Sequence, residues 1–256
     1  SSTPPSGPPA AVPGERPNAQ VSIPTLLPIL PTQEGVLFPG PIVPIRVTSA
    51  SGLRLIDEEL PETKIVGVVT QRLKTGEAPG PEHLYSIGVA AMVLKLVRQG
   101  EQTTLLLLHG LKRFALRKFT QIHPYLKAEI ELLESIPMPP EDPESEAAAN
   151  ALRQTAIELA QASTDLPEQA RAVLETVADP GELADFLGVS LNADLATRQS
   201  ILEELEVRKR IQRIQELLSG QLEIARIQQK LRADVESKFS DAQRRAYLRE
   251  QVKAIQ

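Results

Sequence analysis

The residues best suited to chemistry in this chain are its three histidines and its serines. His83, His109 and His123 have no carboxylate or second histidine at metal-ligand spacing, so we expect them at turns, strand ends or the surface. No serine occurs in a Gly-x-Ser-x-Gly or Ser-x-x-Lys pattern, two arrangements that activate a serine nucleophile. Cysteine is absent, which excludes disulfides, thiolate metal sites and cysteine nucleophiles.

Two acidic runs resemble paired catalytic carboxylates. Asp57-Glu58-Glu59 and Glu203-Glu204 fall at the ends or polar faces of expected helices, where exposure to solvent accounts for them. The segment Gly7-Pro8-Pro9 lacks the Gly-Lys-Ser/Thr that completes a phosphate-binding loop. The sequence therefore predicts no catalytic residue, no cofactor-binding residue and no metal site, and we expect the chain to work by binding.

Composition limits the class of partner. The chain has 256 residues, of which 41% are hydrophobic and 24% charged, as in ordinary globular proteins with real cores. A net charge of -5 argues against a general nucleic-acid binder. No apolar run is long enough to span a bilayer, and no secretory signal is recognisable. We therefore expect neither membrane nor nucleic acid as a partner.

The first half of the chain reads as mostly β. A disordered proline-rich tail is predicted over residues 1–22 and a β-rich domain over residues 23–136. One amphipathic helix, about Ser49 to Leu60, interrupts the strands, and Pro44 places its own strand at a sheet edge. We expect a small closed or pseudo-barrel sheet. The predicted strands are Leu26–Leu30, Ile42–Val47, Ile65–Thr70, Val89–Val97, Thr104–His109, Arg113–Phe119 and Leu126–Leu133.

The second half of the chain is predicted to be helical. Together the two halves predict an α+β multidomain protein. A linker is predicted over residues 137–143, a helical bundle domain over 144–204 and one very long helix over 205–256. The long segment has no proline and only one glycine, so it predicts a rod on the order of 75 Å that leads toward a further module. The predicted bundle helices are Glu144–Gln161, Pro167–Val177, Pro180–Leu187 and Ala193–Glu203.

Short motifs in a fixed order carry a family resemblance. Together they resemble the N-terminal region of Lon-type ATP-dependent proteases, which combines a LON substrate-binding domain of PUA-like β fold with a helical domain. The loop Gln33-Glu34-Gly35 departs from the Arg-Asp pair common in relatives. The matching motifs are Leu27–Pro31, Val36–Gly40, Val43–Ile45, Leu84–Ala90, His109–Phe114, Pro124–Ala128, Asp179–Asp185, Arg198–Glu203 and Gln243–Gln256.

The resemblance implies a parent enzyme, an ATP-dependent serine endopeptidase. In such a parent an AAA+ ATPase module, which uses ATP and magnesium, and a Ser-Lys protease domain follow this region, and the subunits form a homohexamer. This part would then capture unfolded or damaged protein substrates and help to organise the ring. The tail lacks the Arg-rich pattern of a transit peptide, so the cytoplasm is favoured over the mitochondrial matrix.

Contacts with a client polypeptide or a neighbouring subunit are predicted for two groups of apolar residues. For Phe38 and Pro39 the alternative is a turn held by an aromatic anchor, and for the helical group it is packing on the shorter helices or in a coiled coil. Two other functions also remain open, a structural spacer that sets ring geometry and a stand-alone LON-domain adaptor. The helical group is Leu217, Leu218, Leu222, Ile224 and Ile227.

Overall fold

The computed structural model describes residues 21–72, 79–100, 102–139, 142–162, 174 and 176–255, with side chains of the last helix described to 235 and at 238. The predicted tail over 1–22 and the predicted helix over 167–177 lie mainly outside the described residues. The strands are β1 Leu26–Thr32, β2 Ile42–Val47, β3 Ile65–Thr70, β4 Ile87–Arg98, β5 Thr104–Gln121 and β6 Leu126–Leu133. The helices are α1 Ala50–Glu59, α2 Pro143–Ala162, α3 Pro180–Ser190, α4 Leu195–Glu203 and α5 Val207–Ile255.

In the described part of the chain, six strands form one sheet in the order β2-β5-β4-β3-β1-β6. The sheet closes on itself because β6 pairs with β1 on one side and with β5 on the other. The first residues of β5, Thr104 to His109, pair with β2, and its later residues, from Arg113 onward, pair with β6. Among the described residues, β2 pairs with β5 alone and is therefore an edge strand, where Pro44 is tolerated.

The two strands expected over Thr104–His109 and Arg113–Phe119 are wrong as separate elements, because β5 is one strand of 18 residues. Gly110, which lies between the two predicted strands, stays in the strand at a point where another backbone crosses it. A Cβ added at Gly110 would lie 2.1 Å from the carbonyl oxygen of Phe38. The glycine therefore permits a close backbone approach and does not end the strand.

Helix α1 packs on the closed sheet beside β1. Its start is fixed by the Ser49 hydroxyl, which accepts a hydrogen bond from the Gly52 N–H at 3.2 Å. Its inward side chains, Leu55 and Ile56, are buried in the same hydrophobic core as Leu30 of β1. Burial of this apolar stripe holds the helix in place, since isolated helices of this length are marginal in water.

The helical half packs directly on the sheet. One hydrophobic core includes Leu106 and Leu108 of β5 together with Leu183 and Leu187 of α3. The loop between β1 and β2 inserts Phe38 into this core, where its ring lies against Gly188 of α3. Residues distant in sequence thus share one apolar interior.

Helix α5 is 49 residues long, roughly 73 Å at 1.5 Å per residue. Its first turns are packed, with Ile211, Ile214 and Leu218 buried against the other helices. Beyond Leu222 the helix projects past the other helices. Its described side chains up to Val235 are exposed except Ala225, which is half-buried, and Arg226 still forms an ion pair with Glu158 of α2.

Candidate functional site

The residues expected to contact a client or subunit are divided between the interior and the surface. Phe38 is fully buried in the core, and Pro39 is half-buried beside it. Gly40, which follows, has a φ of 96°, and its N–H donates to the Gly110 carbonyl at 2.9 Å. This geometry favours the alternative in which Phe38 anchors a turn, and it leaves Phe38 no free surface in this conformation.

The helical group divides in the same way. Leu218 and Leu222 are buried, and Leu217 is half-buried against the same core. Ile224 and Ile227 are 58% and 60% exposed on the free part of α5. The packing alternative therefore fits the first three residues, and the contact prediction remains open for the last two.

The free part of α5 carries an apolar stripe formed by Ile224, Ile227, Leu231 and Val235, all of them exposed. Successive members are three or four residues apart, so they lie along one face of the helix. Such spacing is typical of a face that packs against another helix. Leu231 and Val235 were missed as contact candidates, although their spacing continues the pattern.

A second exposed apolar surface lies on the sheet where β2, β5 and β4 run side by side. Leu106 and Leu108 of β5 point into the core, so Leu105, Leu107 and His109 point to the opposite side. We call this opposite side the outer face. Pairing across the three strands places its residues in three rows, Ile42–His109–Met92, Pro44–Leu107–Lys95 and Arg46–Leu105–Val97.

The outer face is apolar at its centre and open to solvent. Ile42 is 55% exposed and Val97 38% exposed, and both flank the half-buried leucines Leu105 and Leu107. A bulge in β4 between Val93 and Lys95 interrupts the register beside this patch. Exposed and contiguous apolar side chains on a sheet are the usual mark of a protein-binding surface.

Sequence reasoning missed the outer face for a physical reason. The run Leu105–Leu108 is continuously apolar, so alternation gives no sign of which leucines face solvent. Strand β2 is also apolar on both faces, apart from Arg46. Only the pairing and the packing of the helical half on one side identify the open side.

A cleft of about 790 Å³ is lined by residues of both the sheet and the helical half. Among the residues that line it, the Asp185 carboxylate accepts hydrogen bonds from Arg113 at 2.6 and 2.8 Å and from Arg210 at 2.9 Å. Arg113 also donates to the carbonyl of Leu202, and Arg210 to the carbonyl of Glu204. These interactions tie β5, α3 and α5 together.

The charges of this cluster compensate one another and hold the sheet and the helices together. Burial lowers the pKa of Arg210 below its usual value and the neighbouring Arg113 lowers it further, whereas Asp185 opposes both effects. Both arginines are almost completely buried, and Nε and both terminal nitrogens of each have a hydrogen-bond partner. The hydrogen-bonding nitrogens of both arginines are therefore used in contacts between the sheet and the helical half.

The histidines and acidic side chains are the possible metal ligands among the described residues. Within them, no three His, Asp or Glu side chains are grouped as metal ligands would be. None of the helices in the described part combines the length and apolarity required to cross a membrane. His83 and His123 line one cavity, whereas His109 lies on the outer face.

A family model described as the ATP-dependent protease La (LON) substrate-binding domain matches residues 26–220. Among relatives, the Lon protease of Anaeromyxobacter dehalogenans is 37% identical over 233 residues, and Lon protease 2 of Myxococcus xanthus is 35% identical over 233 residues. Both alignments cover 91% of this chain. The chain spans 28% of the length of either relative.

Two solved structures share the fold. The N-terminal domain of Mycobacterium avium complex Lon protease has a TM-score of 0.59 at 19% identity, covering 76% of this chain and 98% of that one. A Lon N-terminal domain protein from Xanthomonas campestris has a TM-score of 0.53 at 19% identity, covering 74% of this chain and 96% of that one. The mostly β architecture with a following helical region is therefore common to the three chains.

Proposed function

Because this chain belongs to the family of the Lon protease substrate-binding domain, we propose that it captures unfolded polypeptide on its outer face. The observation that carries the proposal is the exposed apolar patch around Leu105 and Leu107, flanked by Ile42 and Val97. An unfolded chain exposes apolar side chains that a folded protein buries. A patch of this kind therefore distinguishes damaged clients from intact ones by the apolar area they offer.

The expected affinity of a single copy is weak. Apolar contact contributes roughly 25 cal/mol per Å² buried, and association and ordering of the client offset much of that gain. Several copies in one assembly would raise the effective affinity, because a long client can contact more than one patch. Weak single-site binding suits a client that must later be released and pulled away.

The test is a titration of this chain with a permanently unfolded protein, such as reduced and carboxymethylated lactalbumin, followed by fluorescence anisotropy. The double variant Ile42→Ser/Val97→Ser should weaken binding by about tenfold, since two exposed anchors of the patch are removed. Leu26 and Leu132 have comparable exposure on the other side of the closed sheet. The matched control Leu26→Ser/Leu132→Ser should leave binding unchanged, and equal losses in both variants would contradict the proposal.

Assembly is a second candidate function, and the apolar stripe of α5 favours it. Four exposed apolar side chains on a helix that projects from the body are suited to packing against the same helix of another subunit. The chain would then also act as a spacer that sets the geometry of the ring. In this reading Ile224 and Ile227 contact a neighbouring subunit and not a client.

Light scattering at high micromolar concentration tests the assembly candidate. The chain should self-associate without any client, and Ile227→Lys/Leu231→Lys should reduce it to monomers, because two charges then lie in the contact. Gln229→Lys/Ala233→Lys adds the same charge at exposed positions on the opposite face of the same helix. Self-association that is lost equally in both variants would point to charge alone and count against the stripe.

The remaining elements of the proposal concern a longer protein. We infer that the closed sheet corresponds to the PUA-like pseudo-barrel of the family, and that α5 leads toward an ATPase module that uses ATP and magnesium. A Ser-Lys protease domain, a homohexameric ring and a cytoplasmic location complete the proposed parent enzyme. Sequencing the gene beyond codon 256 tests this, because a stand-alone LON-domain adaptor would lack a Gly-x-x-x-x-Gly-Lys-Ser/Thr loop.

A further inference from the structure

We propose that the outer face selects segments in which an apolar residue is flanked by two acidic residues four positions apart, in the pattern acid-x-apolar-x-acid. This inference rests on the proposed capture function and specifies the class of polypeptide captured. It follows from the charges that border the apolar patch and from their spacing across the strands.

The charges on the outer face are all of one sign. None of the three strands that form it, β2, β4 and β5, contains an aspartate or a glutamate. Arg46 and Lys95 are exposed on this face, and neither has an ion-pair partner within the described residues. Arg98, whose row lies on the opposite side of the strands, is paired with Asp57. Two cations on the outer face thus remain available to a ligand.

The spacing of these two cations defines the pattern. Arg46 is on β2 in the row of Leu105, and Lys95 is on β4 in the row of Leu107. Neighbouring strands are about 4.8 Å apart and alternate residues about 6.8 Å apart, so the two Cα atoms are separated by about 12 Å. An extended peptide covers about 13 Å in four residues, and side chains at its first, third and fifth positions point the same way.

The midpoint between the two cations lies over the apolar centre. By the same strand spacings it falls between Leu105 and Leu107 of β5. A peptide that places one carboxylate at Arg46 and another at Lys95 therefore sets its middle side chain on these leucines. The acids fix the position of the segment, and the middle residue contributes the apolar contact.

The proposed preference opposes the overall charge of the protein. With a net charge of -5 the chain as a whole repels acidic peptides. Any preference for acidic segments must therefore arise from local cations, which makes it separable from general electrostatic attraction.

The test compares three unstructured peptides with identical apolar ends and a central Glu-Thr-Leu-Thr-Glu, Gln-Thr-Leu-Thr-Gln or Lys-Thr-Leu-Thr-Lys. Binding is measured by fluorescence anisotropy at about 20 mM and about 500 mM salt. The Glu peptide should bind about fivefold more tightly than the Gln peptide at low salt, and the Lys peptide should bind least. The difference should nearly vanish at high salt, because both cations are exposed.

Two matched variants assign the preference to the outer face. Arg46→Gln/Lys95→Gln should bind the Glu and Gln peptides equally. Arg54→Gln/Lys118→Gln removes the same charge from exposed positions on α1 and on the later part of β5, and it should keep the fivefold preference. Loss of preference in the control variant as well would overturn the assignment to Arg46 and Lys95.

The outcomes separate this inference from the capture function beneath it. If the unaltered chain binds all three peptides equally at low salt, acid selection is wrong and capture by the apolar patch stands. If it binds none of them, and no unfolded protein either, both fail.

Discussion

At the residue scale, Asp185 is the one acidic side chain, among the described residues, that forms an ion pair with the two buried arginines lining the cleft. Its carboxylate binds Arg113 of β5 and Arg210 of α5, so it compensates charge on both sides of the cleft. A buried charge that loses its partner is strongly destabilising, whereas the pair itself adds little net stability. Removal of one member of the cluster should therefore lower the stability of the protein by more than the intact cluster raises it.

Asp185→Asn should lower the free energy of unfolding by about 3–5 kcal/mol, because both guanidinium groups then remain buried without a carboxylate. Urea unfolding followed by circular dichroism measures the change. Asp57→Asn breaks the exposed pair with Arg98 and should change stability by about 0.5 kcal/mol or less. A small loss for Asp185→Asn, close to that of the control, would show that water reaches the cluster.

Sequence alone could identify the apolar residues but not their partners. Phe38, Leu218 and Ile227 look alike in sequence, since each continues an apolar pattern. The structure buries Phe38 and Leu218 and leaves Ile227 exposed. An apolar side chain indicates that burial is favourable, and only tertiary contacts decide whether the chain itself or a partner provides it.

At the scale of elements, two glycines in helices have opposite surroundings. A Cβ added at Gly188 of α3 would lie 2.8 and 2.9 Å from ring carbons of the buried Phe38. A Cβ added at Gly220 of α5 has nothing within 4 Å. Replacement of glycine by alanine therefore tests the packing of α3 on the sheet when it is made at Gly188, and the helical state of α5 when it is made at Gly220.

Gly188→Ala should reduce the free energy of unfolding by about 1–2 kcal/mol, since overpacking against the ring exceeds the gain in helix propensity. Gly220→Ala should increase it by about 0.5–1 kcal/mol, because only the propensity changes. Thermal or urea unfolding of the two variants measures whether each substitution raises or lowers the free energy of unfolding. Stabilisation by Gly188→Ala would mean that Phe38 can move away.

Element positions were predictable where local chemistry marks them. Strands β2, β3 and β6 begin and end where the sequence predicts, and Ser49 and Asp179 cap α1 and α3. Strand β5 was divided wrongly because Gly110 reads locally as a break. The crossing of residues 38–40 over β5 is a long-range contact, and no local pattern encodes it.

At the scale of the whole molecule, the apolar core crosses the boundary predicted over residues 137–143. It contains side chains of the sheet, of α2, α3 and α4, and of the first turns of α5. Two sequence patterns can therefore mark different secondary structure and still contribute to one interior. The domain limits stay a prediction about sequence pattern.

A shared core predicts cooperative unfolding. Amide circular dichroism, dominated by the helices, and tyrosine fluorescence, dominated by Tyr85 and Tyr125 in the β part, should give the same urea midpoint. Residues beyond Leu222 contact little and should not alter that midpoint when removed, apart from any effect on assembly. Separate midpoints would mean that the sheet and the helices unfold independently.

The projecting part of α5 sets a minimum length for anything passed along it. From Glu223 to Ile255 the helix extends roughly 50 Å from the body. An extended polypeptide needs about 15 residues to cover that distance. A peptide shorter than this could bind at the sheet but could not reach the distal end of the helix. In the proposed enzyme, short peptides would therefore be bound without being degraded, and only longer chains would be degraded.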